Sequence, residues 1–334
     1  MEEINQNDIL VTIICTVFNH EKYLNQTIEG FLMQKCNFKF KVYIQDDCST
    51  DNSKVIIQEY EKKYPNIIKG FYLNPNVYNQ GISPLFKLLE QVGSEYVAIC
   101  EGDDFWIDEN KLQKQIDFLK KNEDYVASYH NVLVVDDNSK VYNNTNDIMP
   151  LYIQHDFTIN DIENKLICCS QTASLLFKNF WKDWKTEYKE KFLQCNANGD
   201  IKLNTILLMF GKIVFLEDIM SCYRRSYSND SYTASNYKKN LSYSFIKARK
   251  SIEKMIFDIF KVKISFHIEK YVTNSIVIFL KNPSIENFNI VKKCIKCIGP
   301  YHYLISILKK FFKRNNETSW QQLNSDYIKE FINE

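Results

Sequence analysis

Glycine is scarce in this chain. There are eight in 334 residues, and the closest pair, Gly93 and Gly102, stand nine positions apart. Neither a P-loop nor the G-x-G-x-x-G turn of a dinucleotide fold can be written at that spacing. A bound phosphate would therefore have to be held by side chains or a metal rather than by a glycine-rich backbone. Long apolar runs are missing too, and no stretch approaches the roughly 20 residues of a membrane-spanning helix. The formal net charge is only +1, which excludes nucleic-acid binding driven by global charge and leaves room for a local basic face. Zinc-finger spacing is also absent. Cys294 and Cys297 form one CxxC with no second CxxC or histidine pair, and the adjacent Cys168 and Cys169 fit no such pattern. The acidic, polar start M-E-E-I-N-Q-N-D does not read as a secretory leader. The ten cysteines are accordingly expected to be reduced thiols packed as small hydrophobes, in a cytoplasmic protein.

What the chain does have is a carboxylate cluster at a strand end. Tyr96 to Cys100 is an apolar run of strand length. It breaks at Gly102 amid three acids, Glu101, Asp103 and Asp104, and then an aromatic pair, Phe105 and Trp106. Carboxylates at the end of an inner strand are costly to desolvate unless a cation neutralises them. A solvated turn with helix caps is one reading. The other is a seat for a divalent cation holding an anionic ligand such as a diphosphate, since hard cations prefer carboxylate oxygens.

Periodicity around this cluster alternates strand and helix. Ile9–Thr16 is a β-branched buried strand, followed by an amphipathic helix carrying Leu24, Ile28, Phe31 and Leu32. Lys41–Gln45 is a second strand running into D-D-C-S-T-D-N-S, where Ser49 or Asp51 caps a helix over Ser53–Lys63. A third strand spans Ile67–Leu73, and a short helix begins near Ser83. Leu112, Ile116 and Leu119 mark another helix, Tyr125–Val135 a long strand, and Ser174–Phe177 a short one. Asn198-Gly199-Asp200 opens a helix with Leu203, Ile206, Leu207 and Phe210 on one face. Lys212–Leu216 is a strand, and the polar S-C-Y-R-R-S-Y-S-N-D-S-Y-T after it reads as a loop. Such alternation with short connections implies a parallel sheet wound by right-handed crossovers. Ligands then sit beyond the carboxyl ends of the strands. Three of those ends carry unusual chemistry: Thr16–Asn19, Asp46–Asp47 and Glu101–Asp104. From Ser235 onward, Lys, Ile and Phe recur at helical spacing. Seven basic residues and no acid lie between Asn287 and Asn316, either a solvated helical face or a surface for an anionic membrane.

These segments resemble a family 2 glycosyltransferase of GT-A fold. I-C-T-V-F-N-H-E-K-Y-L is similar to the family's opening strand and turn, I-Q-D-D-C-S-T-D-N-S to its second-strand motif, and Y-V-A-I-C-E-G-D-D-F-W to its DxD-type acidic motif. Gly199-Asp200 heading a helix resembles the later motif that supplies the catalytic base. The match runs over about residues 9 to 225. It implies an α/β, Rossmann-like, mostly parallel sheet flanked by helices over residues 1–234, with a nucleotide-sugar half to about residue 108 and an acceptor half after it. Residues 235–334 would be a helical C-terminal extension.

By resemblance, Thr16, Phe18 and Asn19 would line the nucleotide base, with the Phe18 ring stacked on it. Asp47 would accept from the base's imide, favouring uracil or thymine, with a turn or cap role as its rival. Asp103 would face the ribose or the metal, Asp104 would bind Mg²⁺ or Mn²⁺, and Glu101 stands where Asp is usual. Arg224 or Arg225 would contact the diphosphate; the histidine common in relatives two positions beyond Arg224 is replaced by Ser226, which leaves no third metal ligand of that kind in the segment. Asp200 would be the catalytic base, with a plain helix cap as its rival. The implied reaction is transfer of a sugar from a nucleoside diphosphate donor to a glycan or lipid-linked acceptor, with inversion. The rival functions are a binding protein that has lost catalysis and a sugar-nucleotide pyrophosphorylase, although the latter needs a glycine-rich loop that T-V-F-N-H-E lacks.

Overall fold

The computed structural model describes residues 9–141, 155–164, 171–225, 241–266 and 268–299. Cys168, Cys169, the Asn-rich segment beyond Val141, Ser226 to Asn240 and the basic residues beyond Pro300 lie outside the described residues. The chain divides into two compact units. One holds residues 1–159, 168–185 and 207–225; the other holds 160–167, 186–206 and 226–334.

The first unit is built on an eight-stranded sheet. Its strands are β1 (Ile9–Val17), β2 (Lys39–Asp46), β3 (Ile68–Tyr72), β4 (Tyr96–Glu101), β5 (Phe105–Trp106), β6 (Tyr125–Val135), β7 (Leu176–Lys178) and β8 (Lys212–Arg224), in the order β3-β2-β1-β4-β7-β6-β8-β5. β1, β2, β3 and β4 are mutually parallel, as are β6 and β8, whereas β7 and β5 run antiparallel to their neighbours. Two antiparallel steps through β7 restore the direction of β4 in β6. The carboxyl ends of β1, β2, β4, β6 and β8 therefore share one edge of the sheet, as the alternating pattern implied.

Helices α1 (Leu24–Leu32), α2 (Ser53–Lys63), α3 (Pro84–Leu89) and α4 (Lys111–Lys121) cover this sheet. Leu24, Ile28 and Phe31 of α1 are fully buried with Leu112, Ile116 and Leu119 of α4, closing one core over β1, β2 and β4. α1 approaches β5 closely because residue 30 is glycine: a Cβ there would come within 3.0 Å of the Trp106 backbone nitrogen and oxygen.

Two expectations need correcting. Ser221–Arg224 is not loop but the second half of β8, paired in parallel register with Val132–Val135. Its polar residues are buried there, so hydropathy conceals the strand. Phe210 does not share the burial of Leu203, Ile206 and Leu207: it is 42% exposed, at the end of its helix, with its ring against Phe180 and Trp184.

The second unit contains α6 (Thr186–Gln194), most of α7 (Gly199–Phe210), and α8 (Ser242–Phe260), α9 (Glu269–Lys281) and α10 (Ile285–Ile298); α5 (Ile159–Asn164) begins at the boundary. Pro283 separates α9 from α10, and Gly299 (φ +82°) ends α10. Among the described residues no helix is long and apolar enough to cross a membrane.

One buried cation in the first unit carries a pH prediction. Lys111 is fully buried, with Nζ donating to Gln115 Oε1 at 2.8 Å and lying 4.1 Å from the Trp106 ring centroid. Burial pulls its pKa from 10.5 down to about 7. Between those values the unfolded chain holds a proton that the folded chain lacks, so stability rises with pH through that window. Lys111→Met removes this dependence. Raising the pH from neutral to about 9.5 is expected to stabilise the parent over the variant by on the order of 3 kcal/mol. Urea unfolding at the two pH values measures the difference, and equal slopes would refute the neutral buried amine.

Candidate active site

The carboxyl edge of the sheet gathers the segments singled out in the sequence. Thr16 on β1 is registered between Gln45 of β2 and Glu101 of β4, and its carbonyl accepts the Gly102 N–H at 3.0 Å. One oxygen each from Glu101, Asp103 and Asp104 lie within 4.8 Å of one another; Glu101 is exposed, Asp103 half-buried and Asp104 buried. Three carboxylates this close repel one another. Burial, then Asp103, then Glu101, raise the Asp104 pKa well above the usual carboxylate range, against the Arg224 backbone N–H and the Gln171 side chain. Asp104 Oδ1 accepts that N–H at 2.8 Å. Its Oδ2 is buried without a hydrogen bond of normal geometry. The same acids help to push the thiols of Cys15 and Cys100 up, after burial itself.

The loop that carries the acids is held from below. Thr27 Oγ1 on α1 reaches both the Gly102 carbonyl (3.0 Å) and the Asp104 carbonyl (2.7 Å). Gly102 is required for space: a Cβ there would stand 2.8 Å from His20 Nδ1 and 2.9 Å from Val17 Cγ2. Sequence reasoning missed Thr27. Its signal was a hydroxyl among Leu24, Ile28 and Phe31 on the apolar stripe of α1.

Arg224 is a tie within the protein. It is 4% exposed. Nε donates to the Asp103 carbonyl (2.9 Å), one terminal nitrogen to the Asp136 carbonyl (2.8 Å) and Ser139 Oγ (3.2 Å), and the other to Gln26 Oε1 (2.9 Å). Its guanidinium carbon lies 4.3 Å from the Tyr23 ring centroid and 5.3 Å from that of Phe105. Four of the five N–H donors are thus engaged inside the protein. Tyr23, whose hydroxyl donates to Asp137 at 2.8 Å, has its pKa pushed up to about 12 by burial and that carboxylate.

Around the β1 and β2 ends, Phe18 presents an open ring, 44% exposed. Asn19, at φ +56°, donates its N–H to Ser49 Oγ (3.0 Å) and accepts from Thr50 N (2.8 Å) through Oδ1. Asp51 accepts the N–H groups of Glu21 and Ser53, both at 2.9 Å; the cap position of α2 falls on Asn52, which makes no side-chain cap bond, and not on Ser49 or Asp51. Asp47 is buried, with Oδ1 accepting from Val77 N (2.7 Å) and Oδ2 from Tyr78 N (3.1 Å). Of the two roles open to it in the sequence, capping is the one the structure displays, and base recognition would draw on its remaining lone pairs. Asp200 lies in the second unit, exposed, in the first turn of α7, with Oδ1 accepting the Ile201 N–H at 2.8 Å.

A mostly parallel sheet with an acidic loop at its carboxyl edge, followed by helices, places the chain in the GT-A class of α/β proteins. Residues 12–184, more than half of it, match the model for glycosyl transferase family 2, and the chain belongs to that family. The solved structure of Staphylococcus aureus TarS residues 1–349 in complex with UDP-GlcNAc superposes with a TM-score of 0.60, at 15% identity, over 90% of this chain and 82% of that one. An uncharacterized protein of Mycobacterium tuberculosis is 28% identical over 226 residues, 64% of this chain and 58% of its own length. This chain thus spans little more than half of that relative. A putative teichuronic acid biosynthesis glycosyltransferase of Bacillus subtilis is 34% identical over 110 residues, 33% of this chain and 42% of its own.

Proposed function

We propose that this protein transfers a sugar from a nucleoside diphosphate donor, of the UDP type, to a hydroxyl of a glycan or lipid-linked acceptor, by single displacement with inversion. The observation that carries the reading is the meeting of Glu101, Asp103 and Asp104 within 4.8 Å at the carboxyl edge of the sheet. The all-carboxylate set and the buried, unbonded Asp104 Oδ2 suit a hard divalent cation, Mg²⁺ or Mn²⁺. Asp103 and Asp104 would hold it, and when bound it would neutralise charge on the leaving diphosphate.

The protein's own groups supply the rest. The Phe18 ring stacks on the base, an interaction worth on the order of 1–3 kcal/mol, beside Thr16 and Asn19. Asp47 accepts from the imide. Arg224 holds the Asp103 carbonyl through its side chain and the Asp104 carboxylate through its backbone N–H, and has one side-chain N–H left for the diphosphate. Asp200 is the base that would take the proton of the acceptor hydroxyl, a step that single displacement requires. The teichuronic acid relative supports a place in bacterial surface-polysaccharide assembly. Peripheral attachment to an anionic membrane through the helices after residue 235 belongs to the same reading.

A thermal-shift screen against nucleotide sugars with Mn²⁺ tests it, because a ligand that binds only the folded protein must raise its melting temperature. A UDP-sugar is expected to give the largest rise. If no nucleotide sugar shifts the transition, the proposal fails. Donor binding without transfer or hydrolysis would favour the inactive binding protein instead.

A further inference from the structure

Among the described residues of the second unit, the bend between α9 and α10 exposes the most apolar side chains in one short stretch. Every residue from Leu280 to Glu286 is exposed. Leu280 is 70% and Ile285 83% exposed, and Val277 and Phe288 beside them are also exposed. Scattered apolar residues on a surface are ordinary, but four at one helical bend make a patch that calls for a partner. The same helices bury their other faces well, with Val272 of α9 and Cys294 of α10 closing a small core against Ile246. The outward residues are therefore not a failed core.

The charges around the patch select the partner. From Asn274 to Lys296 there are four lysines, Lys281, Lys292, Lys293 and Lys296, against one acid, Glu286. Lys292 Nζ lies 4.7 Å from the Phe288 ring centroid, so a cation sits directly over the apolar surface. Cores of protein–protein interfaces are depleted in lysine. Interfacial helices that lie in a lipid headgroup layer instead combine an apolar strip with lysines, whose stems run along the strip while their heads reach the phosphates. In sequence the basic bias continues to Arg314 without an acid.

We propose that the α9–α10 bend is an insertion wedge for an anionic lipid surface, with Leu280 and Ile285 entering the acyl boundary and Lys281, Lys292, Lys293 and Lys296 meeting the headgroups. The proposal rests on the membrane part of the functional reading and not on the transfer chemistry.

The test is co-sedimentation of the full chain with vesicles of phosphatidylcholine alone and of phosphatidylcholine mixed with phosphatidylglycerol. Binding is expected to the mixed vesicles at low salt, to weaken at high salt, and to be absent from phosphatidylcholine alone. The double variant Leu280→Asn/Ile285→Asn is expected to lose at least about tenfold in partitioning. Its melting temperature should be unchanged, because both side chains are already in water. No binding to mixed vesicles at low salt overturns the wedge, as does a double variant that binds like the parent. If the parent self-associates, the double variant is monomeric and neither binds vesicles, the patch is an interface between copies and the proposal also fails. The melting-temperature shift given by UDP with Mn²⁺ reports on the transfer reading separately, so failure of either leaves the other standing.

Discussion

Asp200→Asn is expected to keep the parent's melting temperature within a few degrees and its affinity for the donor nucleotide, while transferring sugar at least about a hundredfold more slowly. Two roles compete for this residue, and they respond differently. Its Oδ1 accepts the Ile201 N–H at the first turn of α7, and asparagine offers an oxygen of the same shape and caps helices about as well. What asparagine lacks is the ability to take a proton from an incoming hydroxyl. Loss of a general base typically costs 10²–10⁴-fold in rate. Donor hydrolysis should fall less, since water can lose its proton to solvent. Steady-state transfer assays beside a melting scan separate the two roles. If the variant transfers within a few-fold of the parent, the base lies elsewhere, with Asp218 or Asp230, the latter outside the described residues, next to replace. Asp218 is exposed, and its Oδ1 lies 2.6 Å from Lys114 Nζ.

Asp104→Ala should abolish turnover and reduce UDP affinity in Mn²⁺ to the value seen in EDTA. Calorimetric titration with and without metal is the measurement, and a parent that binds UDP equally well in both rules out the metal role. The effect on stability has the opposite character. Asp104 is held buried beside two other carboxylates, and the direction of its pKa shift shows that the charged form is disfavoured there. Asp104→Asn keeps an acceptor for the Arg224 N–H and removes one charge from the cluster. It is therefore expected to melt no lower than the parent while being inactive. A residue whose neutralisation stabilises the fold and destroys its function is held for the ligand, not for the fold.

Much of the first unit was legible in the sequence because its signals are local. The Ser53–Lys63 helix and the Tyr125–Val135 strand appear with the bounds their periodicity gave. The three acids are adjacent in the chain, so their convergence needed only one strand end. What stayed hidden depends on distant partners or on backbone groups. The second half of β8 buries Ser221 and Arg224, residue types that read as loop, because its backbone pairs with β6 and the Arg224 side chain finds Asp103, Asp136, Ser139 and Gln26. Asp47 binds the N–H groups of Val77 and Tyr78, and a backbone donor has no sequence signature. Lys111 sits in a helix at a position that looks solvated, and its burial follows from Gln115 and Trp106 meeting it there.

The Arg224 tie also bears on the order in which the molecule can become competent. Its bonds reach 120 positions back to Asp104 and 198 back to Gln26, and β5 pairs with β8 through Phe105–Cys222 and Trp106–Ser221. Contacts of that separation form late, because the loop they close must be ordered first. On a ribosome, β1 to β4 can pair as soon as they emerge, and Thr16 and Thr27 can already hold the backbone of the acidic loop, but the bonds to the Asp103 carbonyl and the Asp104 carboxylate wait until residue 224 has left the exit tunnel. A nascent chain halted before β8 would carry all three mutually repelling carboxylates on a loop tied only from one side, without the bonds Arg224 makes to Asp103 and Asp104.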